Sequence, residues 1–149
     1  MVVLKSRSLI SRRSALTSKH ISNTTLMRTI YDCGHSARSF DEFTTLLVSH
    51  GITLLVDVRS KPYSRWCPWF NRSALAIALP MQYIWLPSLG GLDKSITPDA
   101  FEKAIEDLIR YSKRYRTCIF CSELDYKKCH RFTKIQPALE ERGIKTIHI

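Results

Sequence analysis

No run of apolar residues in this sequence approaches the roughly 20 needed to cross a bilayer, and the longest, Ala74 to Met81, is interrupted by Pro80. A membrane-spanning helix is therefore excluded. Acidic residues are missing from the first 31 positions, and nothing there is apolar enough for the core of a secretory signal. Without such a signal, five cysteines argue against a disulfide framework and for a reducing compartment, since an odd count cannot be fully paired. Neither G-x-G-x-x-G nor the phosphate-loop lysine pattern occurs, which removes the common dinucleotide and nucleoside-triphosphate signatures.

What is present suits a single globular domain. The chain has 149 residues, 44% of them hydrophobic, enough to bury an ordinary core. Its formal charge of +10 is unevenly spread, because Lys5, Arg7, Arg12, Arg13, Lys19 and Arg28 precede the first acid, Asp32. Taking these six from the 23 basic residues leaves 17 against 13 acidic, a body charge of only +4. Nucleic-acid binding is thus not forced by charge. Residues 1–28 read as a basic, unstructured leader and 29–149 as the domain. The leader has the composition of a mitochondrial presequence, but the preferred reading is that translation starts at Met27. The expected location is then cytoplasmic, and mitochondrial only if the leader is genuine and the source eukaryotic.

From Ile30 onward strand and helix signals alternate. Ile30 to Cys33 predicts a strand, and Ser39 with Glu42 makes a capping box for a helix that Gly51 ends. Thr53 to Val58 is almost wholly apolar, as a central parallel strand requires. Asn71 is placed to cap a helix over Arg72 to Leu79, and Gln82 to Leu86 reads as a third strand. Thr97-Pro98 opens a long helix carrying Phe101, Ile105 and Leu108 on one face. Arg116 to Cys121 is the fourth strand, Phe132 to Leu139 a last helix disturbed by Pro137, and Ile144 to Ile149 the fifth strand. This order predicts an α/β fold, one three-layer domain with a mostly parallel sheet of about five strands and helices on both faces.

Ligands in such sheets bind beyond the carboxyl ends of the strands. The polar residues of this chain gather there: His35-Ser36 after the first strand, then Asp57, Arg59, Ser60, Ser64 and Arg65, then Gly90-Gly91, then Cys121, Glu123 and Cys129-His130-Arg131. Residues two apart on a strand point the same way, so Asp57 with Arg59 and Cys121 with Glu123 are candidate pairs. Cys118, three positions before Cys121, should face the opposite way into the core.

The segments YDCGHS (Tyr31–Ser36), LVDVRSKPYSRWCPWFN (Leu55–Asn71), LGG (Leu89–Gly91), CSELDYKKCHR (Cys121–Arg131) and EERGI (Glu140–Ile144) resemble the family called domain of unknown function 488, over Thr29 to Ile149. That resemblance implies a small cytoplasmic α/β protein whose GHS, DVRS-P-S, LGG, C-x-E and CHR motifs cluster in one pocket, with no established reaction. Besides the residues above, it carries over Pro62. Asp32, Cys33, Cys67 and Trp69 depart from the family pattern, and Cys33 and Cys67 are read as incidental.

Roles follow from chemistry. Arg59, Arg65 and Arg131 offer planar forks for a phosphate or carboxylate, and Gly90 and Gly91 let backbone approach a ligand. Cys121 is a candidate nucleophile, with His130 or His35 as proton carrier and Glu123 as base; Cys129 is placed to gain thiolate character from a helix N-terminus. A cysteine-phosphatase template fails, because the position six after Cys121 is Lys127. A rhodanese-like template ranks low because Glu123 and Asp125 oppose an anion. The expected function is therefore binding or transforming a small anionic, nucleotide-like ligand, with the cofactor unknown and the oligomeric state open. Two alternatives stand beside it. Cys121, Cys129, His130 and His35 offer metal donors, although the Cys121 to Cys129 gap is no recognised zinc spacing. Arg59, Lys61, Arg65 and Arg72 interleaved with Tyr63, Trp66, Trp69 and Phe70 suit a non-catalytic single-strand nucleic-acid module, or simply an aromatic lid on the core.

Overall fold

The computed structural model describes residues 28–123 and 125–149. Their order is β1 (Arg28–Gly34), α1 (Phe40–Ser49), β2 (Leu54–Asp57), α2 (Arg72–Ala78), β3 (Gln82–Trp85), α3 (Pro98–Ser112), β4 (Thr117–Cys121), α4 (Gln136–Glu140) and β5 (Ile144–His148). The five strands form one sheet in the order β3-β2-β4-β1-β5, every neighbouring pair parallel. The predicted alternation is found. The expected leader lies outside the described residues except for Arg28, which pairs with Ile144 as the first residue of β1.

Because strand side chains alternate, the sheet divides the core in two. Ile30, Leu54, Val56 and Ile119 pack under Ile105 and Leu108 of α3 and Leu139 of α4. Cys33, Leu55, Cys118 and Phe120 pack under Phe43 and Leu47 of α1 and Leu75 of α2. Helices thus cover both faces, which is why the central strands β2 and β4 are buried throughout and read as continuous apolar runs. Cys118 and Cys121 fall in opposite cores, as their spacing requires.

Local chemistry sets the ends of the elements. Ser39 Oγ accepts from the Glu42 amide at 3.2 Å, and the Glu42 carboxylate accepts from the Ser39 amide at 2.8 Å, closing the capping box of α1. Gly51 then turns the chain at φ 66°, a conformation other residues resist. Thr97 caps α3 by accepting from the Ala100 amide at 3.1 Å. Asn71 differs from expectation. It occupies the N-cap position of α2, but its side-chain oxygen accepts from the Ser64 amide at 2.6 Å and so ties down the preceding loop instead. The last helix differs too: Arg131–Ile135 forms a wide π turn, and α4 begins only at Gln136, with Pro137 in its first turn where a missing N–H breaks no bond.

Helices α1 and α2 carry the chain over one face, α3 and α4 over the other. Loops leaving the adjacent strands β2 and β4 therefore part to opposite faces and leave a crevice at their carboxyl ends.

Candidate functional site

A cavity of about 320 Å³ opens at that crevice. Four stretches of chain reach it: Arg59 to Lys61 after β2, Gly91 and Leu92 after β3, Cys121 to Glu123 at the end of β4, and Lys128 to His130 before the last helix. A larger hollow, about 530 Å³, lies against the start of α3 and includes only Gly90 of the residues singled out in the sequence.

On the smaller cavity's wall the donor atoms of Cys121, Cys129 and His130 all lie within 4.8 Å of one another. Cys129 Sγ is 3.4 Å from His130 Nδ1 and accepts from Arg131 Nε at 3.4 Å. His130 Nε2 is 3.2 Å from the Val58 carbonyl oxygen, which can only accept, so that nitrogen carries a proton. The two thiols are unequal. Cys129 is pulled well below the ordinary thiol value, first by the proton of Cys121 and then by His130 and Arg131. Cys121 is pushed up, first by its bond to Cys129 and then by burial. Thiolate character thus belongs to Cys129, and Cys121, the expected nucleophile, is its proton donor. Side-chain hydrogen bonds produce this, where a helix N-terminus was expected.

The arginine forks are turned inward. Asp57, fully buried, accepts from Arg59 Nε at 2.9 Å and Nη2 at 2.7 Å and from the Tyr83 hydroxyl at 2.5 Å. Arg59 Nη2 also donates to the Phe70 carbonyl, and the guanidinium lies 4.6 Å over the Phe120 ring. Burial and the neighbouring Asp57 push the Tyr83 hydroxyl up, so it stays a donor. Arg131 is equally committed: Nη1 donates to Asp32 at 3.1 Å and Nη2 to the Glu123 carbonyl. Neither fork is free to seize an anion, and Arg65 is exposed outside the cavity lining. Lys61 and Lys128, not singled out as site residues, are exposed on the lining. Lys128 also reaches Asp125 at 3.6 Å.

Other expected site residues hold structure. His35 and Asp57 are not on the cavity wall. His35 stacks on Phe70 at 4.2 Å between ring centroids, and burial, then Arg59, lowers its pKa to about 4. Ser36 is exposed and donates to the Ser122 carbonyl at 2.5 Å, while Ser64 accepts from the amides of Trp66 and Cys67 and shapes its own loop. Ser60 does line the cavity and accepts from the Leu92 amide at 3.1 Å. The glycines make room for protein rather than for a ligand: a Cβ on Gly90 would meet the Ser60 backbone at 2.9 Å, and one on Gly91 the His130 ring at 2.8 Å. Glu123 stands exposed on the lining, its carboxylate accepting from the Asp125 amide. The aromatic segment splits. Phe70 is buried, while Trp66 is 84% and Tyr63 70% exposed.

The sequence also gave no role to Asp32, which joins Arg131 and, at 2.7 Å, His148 in a buried network. An acid inside an otherwise apolar strand was the available signal.

Comparison with curated proteins and with solved structures gave no match. A family model described as Domain of unknown function DUF488 matches residues 39–98, from the N-cap of α1 to the first residue of α3. Cys121, Cys129 and His130 lie beyond the matched segment, within the longer resemblance read from the sequence. Over residues 39–98 the chain is similar to that family.

Proposed function

We propose that the chain binds and transforms a small anionic molecule, nucleotide-like in chemistry, at the cavity between β2 and β4. Lys61 and Lys128 meet the negative charge, Glu123 exchanges a proton at the mouth, and the Cys121, Cys129 and His130 cluster meets the reacting end. One observation carries this reading: reactive and basic side chains from four separate segments share a single cavity of about 320 Å³. That volume is at the small end of ligand pockets, which run from about 300 to 1,000 Å³. The test is a thermal-shift screen of phosphorylated and carboxylated metabolites against the wild type, Lys128→Ala and Cys129→Ser. A ligand of this site raises the wild-type melting temperature and loses much of its effect on both variants. Equal shifts in all three place the ligand elsewhere.

A second reading is a surface for single-stranded nucleic acid, favoured by the exposure of Tyr63 and Trp66 beside Lys61 and Arg65. Oligonucleotide affinity that falls steeply with added salt supports it; affinity indifferent to salt removes it.

A further inference from the structure

We infer that Cys121, Cys129 and His130 hold a divalent zinc-class cation with one coordination position open to the cavity. The inference deepens the reading above, and rests on it for what the open position would meet. Two thiolates and an imidazole are a donor set that zinc favours, and three protein ligands with a vacant fourth position characterise catalytic rather than structural zinc. Among the described residues these three form the only such group, and His35, the fourth donor the sequence offered, is packed against Phe70 away from the cavity lining. Among the described residues, then, no fourth Cys or His completes the group.

The spacing of the donor atoms fits a shared ion. Zinc bonds of about 2.3 Å to sulfur and 2.0 Å to nitrogen, at a tetrahedral angle, separate the two donors by about 3.5 Å. Cys129 Sγ and His130 Nδ1 are 3.4 Å apart. With Nε2 held on the Val58 carbonyl, Nδ1 is the ring nitrogen turned toward that sulfur.

Outer contacts match those of metal ligands as well. A ligating histidine usually anchors its other nitrogen on a carbonyl or carboxylate, as His130 does, and Arg131 Nε donates to the Cys129 sulfur. Gly91 leaves the imidazole its place, since any side chain there would collide with the ring. Charge also closes locally: two thiolates offset a divalent ion, and the adjacent Arg131 is balanced by Asp32. All three ligands line the cavity, so an ion they share borders it and can polarise an oxygen of the bound anion or a water beside it.

The test uses the full chain, expressed without a histidine tag in zinc-supplemented medium and analysed for metal after gel filtration. About one zinc per chain is expected. Cys121→Ser, Cys129→Ser and His130→Ala should each lose most of it, and Cys67→Ser, outside the cluster, should keep it. Should the ligand variants fold poorly, cobalt exchanged into the wild type decides independently: a sulfur-to-cobalt charge-transfer band with intense tetrahedral visible bands supports the site. A metal-free wild type, a weak octahedral cobalt spectrum, or zinc retained in folded ligand variants would overturn it. The two readings fail separately. Metal without any anion-induced thermal shift ends the ligand reading and leaves the metal centre, whereas anion binding by a metal-free protein does the reverse.

Discussion

Truncating Asp57 would strand a guanidinium in the interior, because Arg59 is only 6% exposed and its bidentate partner would be gone. Asp57→Ala is accordingly expected to cost about 3–5 kcal/mol in urea-monitored unfolding, much of it the unpaired charge rather than the worth of the bond. A loss below about 1 kcal/mol would mean that water reaches Arg59. His35 supplies a pH dependence with a definite sign. Its folded pKa is lowered to about 4 from 6.5, so below pH 6.5 the unfolded chain takes up a proton that the folded one resists. Stability should be insensitive to this group above pH 6.5, fall between 6.5 and 4, and level off below. Denaturant titrations of wild type and His35→Leu check it: the variant should lose that part of the slope. At this scale the sequence revealed residues better than partners. Asp57, the last residue of β2, and Arg59, two positions on, were legible as a pair. Asp32 and Arg131, 99 positions apart, were not, since nothing local ties them.

Elements were legible where their signals are local. The capping box, the Gly51 stop and the Thr97-Pro98 start act within a few residues of themselves, and each stands where the pattern put it. Ser39→Ala should remove one of these signals at a cost of about 1 kcal/mol, read by chemical denaturation, with the strands undisturbed. A cost near zero would show the cap to be replaced by water. Asn71 and the last helix escaped because tertiary demands overruled local preference. Ser64 drew the Asn71 side chain away from its helix, and the wide turn over Arg131–Ile135 accompanies the burial of the Arg131 guanidinium beside Cys129 and Asp32. Periodicity cannot report a π turn that depends on contacts from β1.

At the scale of the molecule, the alternation of elements gave the layered α/β class, but strand order had to come from the structure. That order decides the site. It sets β2 beside β4 and gathers Lys61, Gly91, Cys121 and His130 from segments as much as 69 residues apart. It likewise sends His35 to the opposite core from Cys121, a separation that no motif records. Amide hydrogen exchange should follow the same order. The β4 amides, with a strand on each side and helices above and below, should be the slowest, and those of the edge strands β3 and β5 faster. Comparable rates across all five strands would contradict the layered core.

The register of β1 has a consequence for how the protein is made. Its two neighbours are β4 and β5, so Tyr31 pairs with Cys118 and Ile147, the first of the described strands with the last two. A nascent chain that has emerged only as far as α3 holds β1 with neither flank covered. The innermost part of the sheet must then wait for β4, and ribosomes stalled before residue 117 should carry a protease-sensitive polypeptide rather than a half-built domain.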